Sequence, residues 1–473
     1  AGPGDPLTRK STMSSPRTAS TGPVAPWDVP VTPGMIRKVS IVCFLAWVIS
    51  VYDFTLFGTL LPVIAEDFGW STAQSTMINT LAHVGVFIVS LIVGPIIDRL
   101  GRRNALVILM IGGGLAAGFT GMAIGAVSII LVRSFTGLSL SEEVVNAVYL
   151  SEIYKDVKNK GFFYSVVQAG YPIGALVAAG MSALLLPVIG WRWSFVIAGV
   201  LAIAVALVAT RLPESPTFAA IREARRRQSV GDDAGARVLI DQHGLEMDSE
   251  TQGGLKEVFS PALRRHTILL SLAWLFSWIG IQVFSVLGTT VLVEAKGVSF
   301  ENALVILIGA NAVGFVGYLF HGWLGDRIGR QRTVILGWLA GAVSSLAMLL
   351  IPGATWFIIA MYGLTLFFLT GPFAALLYYM GESFPAHARG MGTNVAHVMA
   401  PVGGIVGSGL LSALLFAGLS MTAAAILSGT LGLALAGLCM MGTRKIEGPS
   451  ADAPADLLGH GNHPDAEKDE VTL

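Results

Sequence analysis

The chain has 473 residues, of which 53% are hydrophobic and only 13% charged, against roughly 25% charged in an average soluble domain. Its 30 Lys and Arg balance 30 Asp and Glu, so net charge points to no nucleic-acid partner, and Cys43 and Cys439 sit in apolar runs that suit neither zinc nor a disulfide framework. These numbers exclude a disordered chain and an ordinary cytosolic enzyme, and they indicate an integral membrane protein.

In chain order, residues 1–35 are rich in Pro, Ser, Thr and Gly and read as a disordered tail. Apolar runs of about 20 residues follow, the length that crosses the hydrocarbon core of a bilayer. They fall at 39–62, 76–97, 104–124, 127–149, 162–187 and 191–211. Beyond a polar, Arg-rich loop at 213–265 come 266–292, 301–320, 333–351, 355–380, 391–416 and 420–441. The first run is followed by eleven others, which marks it as a span rather than a cleaved signal. A polar stretch, 444–473, reads as a second disordered tail. The expectation is an all-α integral membrane fold of twelve helices, six in 36–212 and six in 266–443. With the N-terminus inside, cytoplasmic segments hold 27 of the 30 Lys and Arg, and outer segments only Arg192 and Lys296. That asymmetry places both termini in the cytoplasm.

An internal repeat supports the division. Gly94, Asp98, Arg99, Gly101 and Arg102 after the second span recur as Gly322, Asp326, Arg327, Gly329 and Arg330 after the eighth, 228 residues on. Tyr149-Leu-Ser-Glu152 recurs as Tyr379-Met-Gly-Glu382, 230 residues on. Two matches at nearly one offset indicate a duplicated six-helix unit. Each Asp–Arg turn is more than a basic turn of the inner face. Asp98 is suited to cap the next helix and to draw in cations of a neighbouring loop, forming a latch.

These two loops, together with Arg133-x-x-x-Gly137, Gly190-Trp-Arg-Trp-Ser-Phe195 and Pro213-Glu-Ser-Pro216, resemble the major facilitator superfamily over nearly all of 36–445. The resemblance implies two bundles rocking about a central site near the bilayer midplane. No Gly-x-x-x-x-Gly-Lys-Ser/Thr loop is present, so ATP-driven pumping has no support.

An ionisable residue deep in a span costs about 2.5–3.5 kcal/mol on insertion scales. Asp53, Arg133, Glu142 and Glu143 are therefore the first candidates for proton coupling. Helical rise puts Asp53 about 4–5 Å and Arg133 about 7–8 Å outward of the midplane, a shared level if spans 1 and 4 adjoin, as the resemblance implies. Desolvation and a nearby cation push the proton affinity of a carboxyl in opposite directions. Alternation between wet and dry states shifts that balance, as coupling requires. A structural Asp53–Arg133 bridge is the alternative, and Arg133 also suits a substrate anion. Glu142 and Glu143 point about 100° apart on a helix, so one of them faces a central cavity, as a proton relay or a hydrogen-bonded structural group. Tyr52, His83, Gln168, Tyr171, Gln282 and Asn311 are candidates for the substrate, with interhelical hydrogen bonding as the competing role. Trp274 and Trp278 suit an apolar wall or core, and His321 and His397 suit gating or packing. No cluster resembles a catalytic triad or a metal site, and no cofactor is expected.

Tyr52-Asp53-Phe54-x-x-Phe57-Gly58-Thr59 resembles the first span of the metabolite:H+ symporters. The stretch from Leu61-Pro62 to Asp67-Phe68 is closer to the aromatic acid:H+ symporters. The Gln-Gln-x-x-Gly-x-Asn pattern of sugar porters is absent from Trp278–Phe284. The reading is a proton-coupled symporter of a small organic anion, a carboxylate, in the inner (plasma) membrane, working as a monomer and not an enzyme. A facilitative sugar carrier and a non-transporting membrane sensor are the alternatives, though the central loop and tails are short for a sensor's output domain.

Overall fold

The computed structural model describes residues 25–91, 99–154, 157, 160–243, 255–385 and 388–445. Regular structure among these residues is helical throughout. Helix α1 (Pro33–Phe68) opens on Thr32, whose hydroxyl accepts from the Met35 amide, and closes on Gly69 at φ +67°. Helix α2 (Thr72–Ser90) starts with a reciprocal cap between Ser71 and Gln74. Then come α3 (Arg102–Thr120), α4 (Ala126–Phe135), α5 (Gly137–Leu140), α6 (Glu142–Ile153), α7 (Lys160–Gln168) and α8 (Gly170–Ala209). Gly190, at φ +74°, breaks α8 where one predicted span gives way to the next.

The central loop carries α9 (Pro216–Ser229), α10 (Asp233–His243) and α11 (Leu255–Val258). The second half runs through α12 (Arg264–Gly280), a π-helical segment (Ile281–Val286), α13 (Gly288–Lys296), α14 (Phe300–Ile328) and α15 (Arg330–Leu350). It continues with α16 (Thr355–Thr370), α17 (Phe373–Ser383), α18 (Arg389–His397), α19 (Met399–Phe416), α20 (Met421–Ala425), a second π-helical segment and α21 (Leu431–Met441).

Among the described residues, nine helices are long and apolar enough to cross a membrane. Three differences from the predicted spans have local causes. The predicted 76–97 runs past Leu91 into residues outside the described set. The predicted 127–149 contains Arg133, Glu142 and Glu143 and is interrupted at Thr136 and Ser141. The predicted 162–187 and 191–211 merge into one stretch across Gly190. Large apolar side chains such as Ile108, Leu115, Phe119, Val188 and Trp356 point outward. A soluble protein does not tolerate so much exposed apolar surface, whereas a lipid-facing one requires it.

Packing repeats between the halves. Helix α1 lies on α8 and α3 on α8, as α12 lies on α19 and α15 on α21; α2 packs on α4 as α14 packs on α16. The halves meet along α2 with α19 and along α8 with α14. Where α1 passes the start of α13, the Thr289 hydroxyl donates to the Thr59 carbonyl at 2.8 Å, and a Cβ on Gly58 would collide with the Val286 carbonyl. Backbones this close need glycine.

The sequence repeat reappears as geometry. Gly101 and Gly329 share a left-handed φ, +87° and +92°. Arg102 pairs with Glu152 at 2.7 Å, and Arg330 pairs with Glu382. The Tyr149 hydroxyl donates to the Pro213 carbonyl, and the Tyr379 hydroxyl to the Arg444 carbonyl. Each ion pair stays inside its own half, and the start of α3 is capped by Glu214, which accepts from the amides of Arg102 (2.9 Å) and Arg103 (3.2 Å). Glu214 sits in the Pro213–Pro216 turn and so reaches a helix start that lies more than 100 residues earlier in the sequence. Asp326 is exposed and stands 3.5 Å from Arg330, Arg327 lies over the Trp323 ring, Arg99 is exposed, and Gly322 faces Ala374. Gly94 and Asp98 lie outside the described residues.

Part of the predicted N-terminal tail has structure. Trp27 packs against Ala220, Ala224 and Leu239 of the central loop, and Asp28 stands 3.5 Å from His243. Residues 1–24 and 446–473 lie outside the described set.

Candidate transport site

Between the halves lies a cavity of about 30 Å³, lined by side chains from both. Trp47, Tyr171, Trp274, Trp278, Tyr318 and Phe373 supply aromatic walls. Glu143 and Gln168 of the first half and His397 of the second supply the polar groups that converge on it. The His397 Nε2 stands 3.7 Å from a Glu143 carboxylate oxygen, an ion pair when the ring is protonated. Gln168 donates to the other Glu143 oxygen at 3.2 Å and to the Tyr164 hydroxyl at 2.8 Å. The Trp274 ring stacks edge-on against His397 at 4.9 Å and against Phe373 at 5.4 Å. Aromatic walls thus surround one acid and one imidazole, drawn from different halves.

The two neighbouring glutamates part company here. Glu142 is fully buried within the first half, accepting from the Ser50 hydroxyl at 2.7 Å and from the Asn146 amide. Glu143, one residue on and rotated about 100°, is the member that lines the cavity.

Asp53 and Arg133 meet at 2.8 Å, and the guanidinium also donates to the Asp53 carbonyl at 3.2 Å. Both are 3% exposed. The guanidinium also lies over the rings of Phe57 and Phe195, 5.1 and 5.6 Å from their centroids. Arg133 lies outside the cavity lining.

Of the residues expected to touch substrate, Gln168 and Tyr171 line the cavity, while Tyr52, His83, Arg133, Gln282 and Asn311 do not in this conformation. Asn311 is turned back on its own helix, donating to the Leu307 carbonyl at 2.9 Å. Tyr52 is packed into the core. His83 stands against Phe54, which also meets Trp278, and His83 and Gln282 both stand beside Gly404. Sequence reasoning passed over Trp47, Tyr318 and Phe373 and gave His397 only a gating or packing role. One signal existed for Tyr318, which stands seven residues from Asn311 and so on the same helix face. His397 offered none, since its partner Glu143 is 254 positions away.

Residues 43–321 and 312–458 match the family described as Major Facilitator Superfamily. The chain belongs to the major facilitator superfamily. It is 27% identical to the niacin transporter of Acinetobacter baylyi over 76% of this chain and 83% of that one. To the gallate transporter of Pseudomonas putida it is 26% identical, over 80% and 86%. To the 4-hydroxybenzoate transporter of Pseudomonas aeruginosa it is 26% identical, over 66% and 71%. A crystal structure of a bacterial homolog of the human lysosomal transporter Spinster, inward-facing and occupied, superposes with a TM-score of 0.62 at 15% identity, covering 87% of this chain and 95% of that one. At that identity the likeness concerns the fold. This superfamily member is a multi-pass inner-membrane transporter and not an enzyme, and its relatives carry organic acids.

Proposed function

We propose that this transporter imports an aromatic carboxylate together with protons by alternating access. The observation that carries the reading is the slot between the halves, walled by aromatic rings and holding Glu143 and His397 as its acid–base pair. The chain crosses the membrane twelve times with both termini cytoplasmic, a reading supported by the 27 cytoplasmic Lys and Arg and by the merged helix across Gly190. Two six-helix halves, 36–212 and 266–443, rock about the slot, and one chain supplies the whole pathway as a monomer.

His397, once protonated, meets the carboxylate of the substrate, which displaces Glu143 from it. Asp53, tied to Arg133 behind the slot, takes the coupled proton from the outer side and gives it up inside. One proton with a monoanion is electroneutral, so accumulation follows the pH gradient at about 1.4 kcal/mol per pH unit. Ligand pockets measure about 300–1,000 Å³, so the walls part when substrate enters the 30 Å³ seen here.

The test uses purified protein in proteoliposomes with an external pH dye. Adding benzoate or nicotinate, but not sugars or cationic drugs, is expected to alkalinise the exterior. Silence for every acid, with sugar counterflow in the same vesicles, would sink symport in favour of a facilitative sugar carrier.

A further inference from the structure

Just outside the slot lies a second polar group that the coupling scheme does not use. The Gln282 side chain is completely buried, and neither its oxygen nor its nitrogen has a hydrogen-bond partner among the described residues. His83, 8% exposed, has its Nδ1 at 2.8 Å from the Asn79 carbonyl, while its Nε2 is equally without a partner. The two come from different halves and converge on one point. A Cβ at Gly404 would sit 3.5 Å from the Gln282 oxygen and 3.7 Å from His83 Cδ2, the ring atom bonded to Nε2. A buried polar atom left unmatched costs about 1–3 kcal/mol, and these two neighbouring side chains carry three of them.

The chemistry of the three atoms narrows what belongs there. The Asn79 carbonyl only accepts, so Nδ1 carries the imidazole hydrogen and Nε2 of the neutral ring is an acceptor. The amide of Gln282 supplies a donor beside it. A group that donates to one and accepts from the other is a hydroxyl. Gln282 belongs to the π-helical segment Ile281–Val286, an irregularity that often marks functional positions, and it follows Trp278 of the slot wall by one turn. Phe54 stands between, 5.3 Å from the His83 ring and 6.5 Å from Trp278. Gly404 lies seven residues beyond His397, about 10 Å of helical rise, which matches the length of a para-substituted benzoate with a hydrogen bond at each end.

We infer that Gln282 and His83 form a hydroxyl subsite that selects ring-hydroxylated aromatic acids over unsubstituted ones. The inference rests on the aromatic-acid reading of the slot. With the carboxylate at His397, the ring passes Trp278 and Phe54, and its hydroxyl donates to His83 Nε2 while accepting from the Gln282 amide. A site built to hydrogen-bond a hydroxyl strongly rejects the analogue lacking it, because its own buried groups then stay unpaired.

The experiment compares kcat/KM for 4-hydroxybenzoate and benzoate, which share charge and ring, in proteoliposomes of the full chain. The intact protein is expected to favour the hydroxylated acid at least tenfold, and Gln282→Leu to bring that ratio close to one. Gly404→Ala adds one methyl group at ordinary contact distance from both side chains, so it tests the same space without removing a polar group, and the ratio is expected to fall there too. Uptake of both acids with no preference, or a preference that survives both substitutions, would overturn the subsite while leaving aromatic-acid transport standing. That outcome would assign the polar group to bound water. Uptake of neither acid by the intact protein would overturn both readings.

Discussion

At the scale of single residues, the buried charges are organised by what each can be matched with. Arg133 is matched three ways, by the Asp53 carboxylate, the Asp53 carbonyl and two ring faces. Removing one partner of a buried ion pair costs about 3–5 kcal/mol, because the other charge stays behind unpaired. Asp53→Asn is therefore expected to lower the unfolding temperature of the purified protein as well as change its transport. If Asp53 carries the coupled proton, the mutant loses uphill uptake under an inward pH gradient but keeps counterflow exchange. Retained accumulation would reduce the pair to a lock between α1 and α4. The pairing of Asp53 with Arg133 was foreseeable from helical rise, whereas the split between Glu142 and Glu143 was not. The two glutamates are adjacent in sequence, and it is the positions of Ser50, Asn146 and His397 that separate them.

At the scale of elements, the proposed alternating access would use the close approach of α1 to the segment leading into α13 as its outer closure. The Thr289 hydroxyl bonds to the Thr59 carbonyl, and Gly58 leaves no room for a side chain against Val286. Gly58→Val is expected to prop this contact open. The readout is a reporter, Ser285→Cys in a background with Cys43 and Cys439 changed to Ser. An impermeant thiol reagent added outside should label the reporter faster when Gly58→Val is present than when Gly58 is kept, and uptake should fall at least tenfold. Equal labelling would show that this contact does not hold the outer side shut. Apolar runs placed the start of α14 within one residue, but α1 and α2 begin at Pro33 and Thr72 rather than at 39 and 76, because their caps Thr32 and Ser71 lie outside the apolar run. Boundaries were less legible in 126–153, where Arg133, Glu142 and Glu143 interrupt the apolar run.

At the scale of the whole molecule, the repeat sets up two latches of unequal strength. Arg102 and Glu152 have side chains 10% and 12% exposed, and Arg102 also stacks over Phe218. Arg330 and Glu382 are 24% and 49% exposed. Solvent screens the second pair, so Arg330→Gln is expected to cost under about 1 kcal/mol. Arg102→Gln strands a nearly buried carboxylate and is expected to cost about 1–3 kcal/mol. Thermal unfolding in detergent measures both, and equal shifts would contradict the burial argument.

The sequence by itself determined the apolar helices, their charge asymmetry, the duplication and the presence of Asp53, Arg133, Glu142 and Glu143 within spans. Those features follow from composition, periodicity and local spacing, all of which are properties of neighbouring residues. Tertiary structure alone decided that Glu214 caps α3, that Glu143 rather than Glu142 meets His397, and that His83 and Gln282 converge on Gly404. Each of these joins residues more than 100 positions apart, and a linear pattern carries no record of which helix faces come together until the two halves are packed.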